Sequence, residues 1–565
     1  MKKLLIAILM ASFVIFPQLI SINAQAETYD LLITNGRIID GSGNPWFYGD
    51  IAVKGDRIAA ITPRGALKGS RTIDAKGMVV APGFIDMLGQ SEISLLIDPR
   101  AESKVFQGIT TEVTGEGGSA APVNDFILKE NEPYFTHFKV NADWRTMGEY
   151  FNRLERAHPA INLATYVGAT QVRQYVLHDE NRAPTPAELD QMRTLVAEAM
   201  EDGAVGLSTA LVYPPAAYAK TEEIIELAKV ASRYGGIYAT HMRNESNSEM
   251  EAIDEAIRIG KEANIPVEIF HLKVAGKQNW GKMAAVIKKI EDARAQGIDI
   301  TADQYPYIAG ATSLGASIPP WAAEGSTAKF IERLKDPATR EKLKKEMRTP
   351  STDRENFYLG AGGGQGILIA SVLNRSLAKY EGKRISEIAK MMGKSDEIDA
   401  LFDLVIADNA QTGAIYFLMN EDDVKLAMKQ PWVSVGIDHG EVATTGPLAE
   451  GNAHPRGYGS FPRILGKYVR EEHVLTLEEA IRKMTSLAAN RVRLQDRGML
   501  KPGFYADVVV FDPNAIHDVA TFENPNQLSV GMHYVIINGQ IVVDDGKQAT
   551  ALPGKPLRRQ GFTAR

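Results

Sequence analysis

Two histidines and one aspartate each close a short β-like run of the sequence: His241, His271 and Asp438. The chain has only 10 histidines, which argues against a chance placement, although a lone residue of this kind is commonly structural. Imidazole nitrogen and carboxylate oxygen suit a divalent metal such as zinc. Such an ion polarises a carbonyl and lowers the pKa of a bound water, and a nearby carboxylate moves the proton. The pattern predicts a metal-assisted hydrolytic centre, with Asp438 as the proton carrier.

These residues need a fold that brings the ends of separate strands together. Along most of its length the chain alternates β-like runs with helical patterns, of which 222–234 is the clearest. Eight such alternations predict an α/β fold, a parallel (β/α)₈ TIM-type barrel whose chemistry lies at the C-terminal ends of the strands. The eight candidate strands are residues 79–86, 110–115, 163–168, 204–209, 237–241, 267–271, 299–303 and 433–438.

Two β-rich segments flank the predicted barrel. Residues 27–80 and 486–565 both read as short strands separated by turns. We expect them to form one small β-sandwich domain built from both termini, which assigns residues 81–485 to the barrel. About 130 residues separate the last two candidate strands, far more than a barrel step needs. We therefore interpret residues 310–425 as an inserted subdomain that covers the site as a lid.

The first residues have the form of a secretory signal. In residues 1–26, Lys2 and Lys3 precede an apolar run that ends in a small-x-small site, so we expect cleavage after Ala26. A membrane anchor is the alternative, but the run is short and Pro17 interrupts it. We expect an exported bacterial protein, periplasmic or secreted, that is free of the membrane after cleavage.

Composition limits the partners and the ligands. The net charge of the 565 residues is −7 and no long basic run is present, which argues against nucleic acid as a partner. The chain contains no cysteine. This excludes thiolate ligands and a cysteine nucleophile, so any metal must be held by His, Asp, Glu or a modified Lys.

Several segments have the form of known family motifs. Three are widespread in one superfamily: LLITNGRIIDG at 31–41, APGFID at 81–86 and KPGFYADVVVF at 501–511. Five are narrower: GLST at 206–209, YPP at 213–215, YGGIYATHMRNE at 234–245, DQYPY at 303–307 and HPR at 454–456. With these motifs the chain resembles the amidohydrolase superfamily and, within it, the D-aminoacylases (N-acyl-D-amino-acid deacylases). The resemblance implies metal-dependent hydrolysis of a C–N amide bond in N-acyl-D-amino acids, with Asp438 as general base and acid.

The sequence departs from this family on the first strand. Family members usually follow Gly-Phe-Ile-Asp with a His-x-His pair, whereas this chain has Leu88 and Gln90 at the two histidine positions. Leucine cannot ligate a metal, and a glutamine amide is a poor ligand. The resemblance therefore implies that the first of the two usual metal positions is lost and that one ion binds, which we expect to be Zn²⁺.

A second departure follows the second strand. The family commonly places a ligating cysteine in a Gly-Asn-Cys-Gly turn, and here the turn reads GEGG at 115–118. Glu116 falls close to the cysteine position in a loop that is one residue shorter. With Glu116 as a ligand, His241 and His271 complete three protein ligands and leave a fourth position for water, as in catalytic zinc sites. The alternative is that Glu116 is a solvated loop residue.

The resemblance also suggests residues that contact the substrate. Lys273 stands where the family has a lysine near the substrate's carboxylate. Arg243, Tyr213 and Tyr305 are expected to line the pocket. Arg456 is expected to bind the substrate, since arginine holds a carboxylate with two hydrogen bonds, or to stabilise the loop after Asp438. For each of them, packing or structural hydrogen bonding is the alternative.

Two other functions fit the same residues. The site would also suit a dipeptide with a D-residue or a cyclic amide, so the expected partner is a small-molecule N-acyl amino acid or a small peptide. A catalytically inactive binding homologue is the other alternative, because Leu88 and Gln90 replace ligands. The retention of His241, His271 and Asp438 speaks against it.

Overall fold

Eight parallel strands form a barrel at the centre of the protein. The computed structural model describes residues 28–65 and 67–559, so the predicted signal peptide lies outside the described residues. The strands are almost entirely buried, as parallel strands covered on both faces are. They are Phe84–Asp86, Ile109–Thr114, Asn162–Thr165 (continued by Val167–Gly168), Gly206–Ala210, Ile237–His241, Val267–Ile269, Ile300–Gln304 and Val433–Val435.

Backbone hydrogen bonds join the last barrel strand to the first. The Met87 N–H donates to the Val435 carbonyl at 3.0 Å, and the Asp438 N–H donates to the Leu88 carbonyl at 2.7 Å. The strands between them pair in parallel along the barrel. Closure brings the C-terminal ends of strands that are distant in sequence to one mouth.

Amphipathic helices surround the barrel, and the helix that the sequence predicts most clearly spans Thr221–Arg233. Its apolar side chains, including Ile224 and Leu227, are buried, and Gly235, with φ of 71°, follows its end. No helix in the described part of the chain is both long and apolar enough to span a bilayer. The other barrel helices are Ser94–Ile97, Glu102–Val105, Asp125–Glu130, Glu132–Phe138, Met147–Ala157, Ala169–Leu177, Pro186–Asp202, Glu249–Ala263, Met283–Ala295, Glu421–Met428, Arg456–Arg463 (continued by a π-helix, Ile464–Glu471), Leu477–Met484 and Ser486–Arg491.

Both ends of the chain contribute to one nine-stranded sheet. Ile33 and Ile51 from the N-terminal part share a buried core with Val508 and Ile536 from the C-terminal part, which makes this a single small β domain. Its strands are Thr28–Ile38, Phe47–Lys54, Arg57–Thr62, Lys68–Asp74, Val79–Pro82, Val508–Phe511, Met532–Ile537, Gln540–Asp544 and Lys547–Gln548.

The boundaries of the barrel differ from the prediction at both ends. The predicted strand 79–86 is two strands, because Val79–Pro82 pairs with the small β domain and only Phe84–Asp86 enters the barrel. Gly83 separates them, and a Cβ there would lie 2.2 Å from Thr110 Oγ1. At the other end, Ala488 and Ala489 share a core cluster with barrel residues. The helix Ser486–Arg491 therefore packs on the barrel rather than in the β domain.

The segment between the seventh and eighth barrel strands contains a subdomain with its own apolar core. Its antiparallel sheet has the strand order Gly310–Ser313, Gly413–Tyr416, Ile367–Ser371. Residues 327–347 form two helices, since Asp336-Pro337 ends the first and begins the second. The subdomain helices are Thr327–Lys335, Pro337–Met347, Phe357–Gly360, Ile385–Met391 and Glu397–Ala407.

A buried ion cluster ties the first barrel strands to the loop after the eighth. Lys104 Nζ lies 3.0 Å from Asp86 Oδ2 and 2.8 Å from Glu112 Oε2, and all three side chains are 0% exposed. Lys104 also donates to the His439 carbonyl at 2.8 Å. Because His439 follows Asp438, this cluster fixes the backbone beneath one of the predicted site residues.

We predict that Lys104→Met destabilises the protein strongly, because it leaves two carboxylates buried without their cation. Loss of one partner of a buried ion pair costs about 3–5 kcal/mol. Urea unfolding measures the change. Lys288→Met is the control, since it removes an exposed pair with Asp292 of the kind worth about 0–1 kcal/mol. Equal midpoints for the two variants would contradict this role of Lys104.

Candidate metal centre

The barrel places the predicted metal ligands at its C-terminal mouth. His241 is the last residue of the fifth strand, His271 lies two residues beyond the sixth, and Glu116 two residues beyond the second. Asp438 lies three residues beyond the eighth. His271 and Asp438 have φ of 36° and 53°, left-handed conformations that cost free energy for residues other than glycine. Strained backbone of this kind concentrates at functional sites.

Glu116, His241 and His271 converge on one point. Their ligand atoms lie within 4.8 Å of one another. Glu116 Oε1 is 2.9 Å from His241 Nδ1 and 3.0 Å from His271 Nε2. Burial opposes the charge of Glu116, but hydrogen bonding to both imidazoles lowers the pKa of its carboxyl well below the usual range. One carboxylate oxygen and two imidazole nitrogens in this arrangement suit a divalent metal ion such as zinc.

Glu245 lies behind both histidines. Its carboxylate is 3.4 Å from His241 Nε2 and 3.1 Å from His271 Nδ1, the nitrogens that face away from Glu116. Lys273 Nζ is 2.6 Å from the same carboxylate. A carboxylate in this position fixes the ring orientation and tautomer of metal-binding histidines. Burial opposes the charge of Glu245, and Lys273 and both histidines lower its pKa.

Asp438 lines the same cavity as the three ligands, and two groups hold it. Its Oδ2 lies 2.7 Å from Arg456 Nη1, and Gln90 Nε2 donates to its Oδ1 at 2.9 Å. Burial raises the pKa of Asp438 above its ordinary value, and Arg456 opposes part of this shift. A carboxylate that is fixed in place and has a raised pKa suits a general base.

Gln90 connects Asp438 with the ligand cluster. The same amide nitrogen donates to Glu116 Oε2 at 2.8 Å, so one NH₂ group bridges two carboxylates. The neighbouring family position, Leu88, is buried in apolar surroundings. The first strand therefore supplies an amide donor between Glu116 and Asp438 instead of a pair of imidazoles.

An inner cavity of about 380 Å³ opens on these residues. Tyr213, Lys273 and Tyr305, which the resemblance suggests as substrate contacts, line it. Tyr213 packs edge-on against His241 with ring centroids 5.1 Å apart. The Tyr305 hydroxyl is buried and has no hydrogen-bond partner among the described residues. The inserted subdomain adds Phe357 and Tyr416 to the wall.

Arg243 and Arg456 do not line this cavity, although the resemblance suggests both as substrate contacts. Arg243 does not line it, because its guanidinium is bound to Glu255 and to the carbonyls of Ala217 and Ala219. Arg456 is also absent from the lining and is 1% exposed. Of the two roles predicted for Arg456, the structure favours holding Asp438 and its loop.

Sequence reasoning missed Glu245 as a functional residue. It ends the YGGIYATHMRNE segment and stands four positions after His241. Because the strand ends at His241, this spacing does not indicate that the two side chains are in contact. Its role depends on contact with His271 from another strand, which no local pattern reveals.

The fold and the site define the class as a metal-dependent hydrolase on a (β/α)₈ barrel. Residues 71–335 and 369–543 match the family model described as the Amidohydrolase family, and the chain belongs to this family. The D-aminoacylase of Alcaligenes xylosoxydans xylosoxydans is 36% identical over 95% of this chain and 99% of that protein. The N-acyl-D-glutamate deacylase of the same organism is 35% identical over 95% of this chain and 98% of that protein.

Solved structures agree with these relatives. The zinc- and phosphonate-bound N-acyl-D-glutamate deacylase of Bordetella bronchiseptica is similar at a TM-score of 0.78 and 35% identity, over 94% of this chain and 100% of that one. A structure of D-aminoacylase that concerns its binuclear metal centre, with one-metal activation and second-metal attenuation, is similar at the same TM-score of 0.78. The identity is again 35%, over 94% of this chain and 100% of that one. The chain is therefore an amidohydrolase that acts on carbon–nitrogen bonds.

We predict that Glu245→Gln weakens metal binding by about 10–100-fold, because the amide no longer accepts from both histidines with a full charge. Titration with Zn²⁺ followed by calorimetry gives the dissociation constant. Glu251→Gln is the matched control, since Glu251 is exposed on the neighbouring helix. An unchanged dissociation constant in Glu245→Gln would show that the carboxylate does not support the ligands.

Proposed function

We propose that the protein hydrolyses the amide bond of N-acyl-D-amino acids with one divalent metal ion, Zn²⁺, held by Glu116, His241 and His271. The observation that carries the proposal is the convergence of these three donors in a cavity that also contains Asp438 and Lys273. The names of the relatives support the substrate class, since three of them are a D-aminoacylase and deacylases of N-acyl-D-glutamate and N-acyl-D-aspartate.

A divalent ion bound to these ligands polarises the amide carbonyl and makes a water molecule more acidic. Asp438 takes the proton of the attacking water and passes it to the leaving nitrogen. Arg456 and Gln90 keep its two oxygens in place during both transfers. His241, His271 and Asp438 are buried, which strengthens each of these charge interactions.

Lys273 and Tyr305 hold the carboxylate of the substrate. The Lys273 ammonium lies 2.6 Å from the Glu245 carboxylate, 3.2 Å from the His271 carbonyl and 2.7 Å from His271 Nδ1. It also lines the inner cavity, where its positive charge attracts the carboxylate of the substrate. The unpartnered hydroxyl of Tyr305 supplies a second donor at the same cavity.

The first-strand residues support a single ion. Gln90 Nε2 lies within hydrogen-bond distance of both Glu116 and Asp438, so an uncharged donor fills the space between the two carboxylates. Leu88 offers no ligand atom. We also propose that residues 1–26 export the protein and are removed, which places the enzyme outside the cytoplasm.

Asp438→Asn should lower kcat on N-acetyl-D-amino acids by about 10²–10⁴-fold, because an amide cannot accept the proton. Bound zinc, measured by atomic absorption, should remain as in the wild type. Asp422→Asn, at an exposed position, is the control and should keep full activity. Full activity of Asp438→Asn would remove the proposed role of this residue.

The wild-type protein should bind one zinc ion per chain, and activity should not decline when zinc is raised further. The double variant Leu88→His/Gln90→His should bind a second ion, since it supplies two more imidazoles. Equilibrium dialysis with metal analysis measures both stoichiometries. Two ions in the wild-type protein would contradict the single-ion site, whatever the double variant does.

A further inference from the structure

A second and larger cavity adjoins the inner cavity. This outer cavity, of about 790 Å³, lies between the loop after the fourth barrel strand and the inserted subdomain. Tyr213, Thr312, Ser313 and Phe357 line both cavities. The rings of Tyr213 and Phe357 stack with centroids 6.5 Å apart and form part of the shared wall. A ligand in the inner cavity therefore has the outer cavity beside it.

The position of the outer cavity matches one end of the proposed substrate. Lys273 and Tyr305 follow the sixth and seventh barrel strands, whereas Tyr213 follows the fourth, with His241 on the strand next to it. A substrate with its carboxylate at Lys273 and its amide beside the metal ligands directs its acyl group toward Tyr213. The outer cavity therefore extends the acyl side of the scissile bond.

Four of the five charged side chains of the outer cavity contact other groups of the chain, and Asp353 is the fifth. Glu346 accepts from Trp321 Nε1 at 2.9 Å. Arg243 pairs with Glu255. Arg354 donates to backbone carbonyls at 2.9 and 3.3 Å. Glu355 accepts the Glu245 N–H at 2.8 Å. Glu355 Oε1 is buried without a hydrogen-bond partner among the described residues, but most of these charged groups are engaged. They therefore offer a peptide chain few free donors and acceptors.

The rest of the lining is mainly apolar. It includes Val212, Ile318, Pro319, Trp321 and Phe330. Cavities of this size with apolar and aromatic walls bind apolar groups by removing them from water. The chemistry of the wall thus favours a hydrocarbon over a peptide or a sugar.

We propose that the outer cavity binds a long apolar acyl chain, so the preferred substrates are N-acyl-D-amino acids with medium or long alkyl chains rather than N-acetyl derivatives. This inference rests on the proposed function and names its substrate class. Each methylene that leaves water for an apolar site adds to the binding of the transition state.

The test compares one D-amino acid that the zinc enzyme accepts as its N-acetyl derivative with the same amino acid carrying N-octanoyl and N-glycylglycyl groups. We expect kcat/KM to rise by about 10-fold or more from acetyl to octanoyl, with no such rise for glycylglycyl. An equal or larger rise for glycylglycyl, or no rise for octanoyl, overturns the inference while the proposed function stands.

Ala316→Trp tests the location of the acyl site. Ala316 lines the outer cavity but not the inner one, so the indole should remove most of the octanoyl advantage and leave N-acetyl hydrolysis unchanged. Ala295→Trp, at an exposed helical position, is the control. An octanoyl advantage that persists in Ala316→Trp contradicts the assignment.

Failure of the proposed function gives a different result. If no N-acyl-D-amino acid is cleaved, the binding of octanoate to the zinc protein is measured by calorimetry. Octanoate should bind the wild type and Ala295→Trp and bind Ala316→Trp at least about 10-fold more weakly. Absence of octanoate binding, or equal binding by all three proteins, overturns the apolar acyl site.

Discussion

The contact of one carboxylate with two imidazoles is the interaction around which this active site is arranged. Glu116 lies between His241 and His271, and the three come from three different barrel strands. Their meeting requires closure of the barrel and a loop after the second strand that turns inward. Glu245 and Lys273 then hold the far sides of the rings. In the proposed site, a chain without cysteine supplies its third metal ligand from the carboxylate that stands near the family's thiolate position.

Leu88 and Gln90 stand where the family usually has two first-strand histidines, and Gln90 links two carboxylates of the site. Gln90 donates to both Glu116 and Asp438, so one amide holds both carboxylates. Lys104 and Glu112 form a buried ion pair beside Gly89. A Cβ added at Gly89 would collide with the Glu112 carboxylate. The first strand of this protein is therefore held by hydrogen bonds and ion pairs where two imidazoles usually stand.

Much of the barrel could be predicted from the sequence, because β-like runs alternate with helical patterns and several of the runs end in polar residues. His241, His271 and Asp438 follow from this pattern, and Glu116 follows from comparison of its turn with the family. Residues whose roles depend on contacts between distant segments could not be found in this way. The sequence does not show that Arg243 forms an ion pair with Glu255 instead of lining the inner cavity. The division of residues 79–86 between two domains depends on the close approach of Gly83 to Thr110, which no periodicity reveals.

The central claim is that Glu116 replaces the thiolate as a ligand of a single ion. A crystal of the full-length protein grown with Zn²⁺, with data collected on both sides of the zinc absorption edge, tests it most directly. The account predicts one anomalous peak per chain, at about 2.0–2.2 Å from Glu116, His241 and His271. A peak that lies away from Glu116, or a second peak between Gln90 and Asp438, would contradict it.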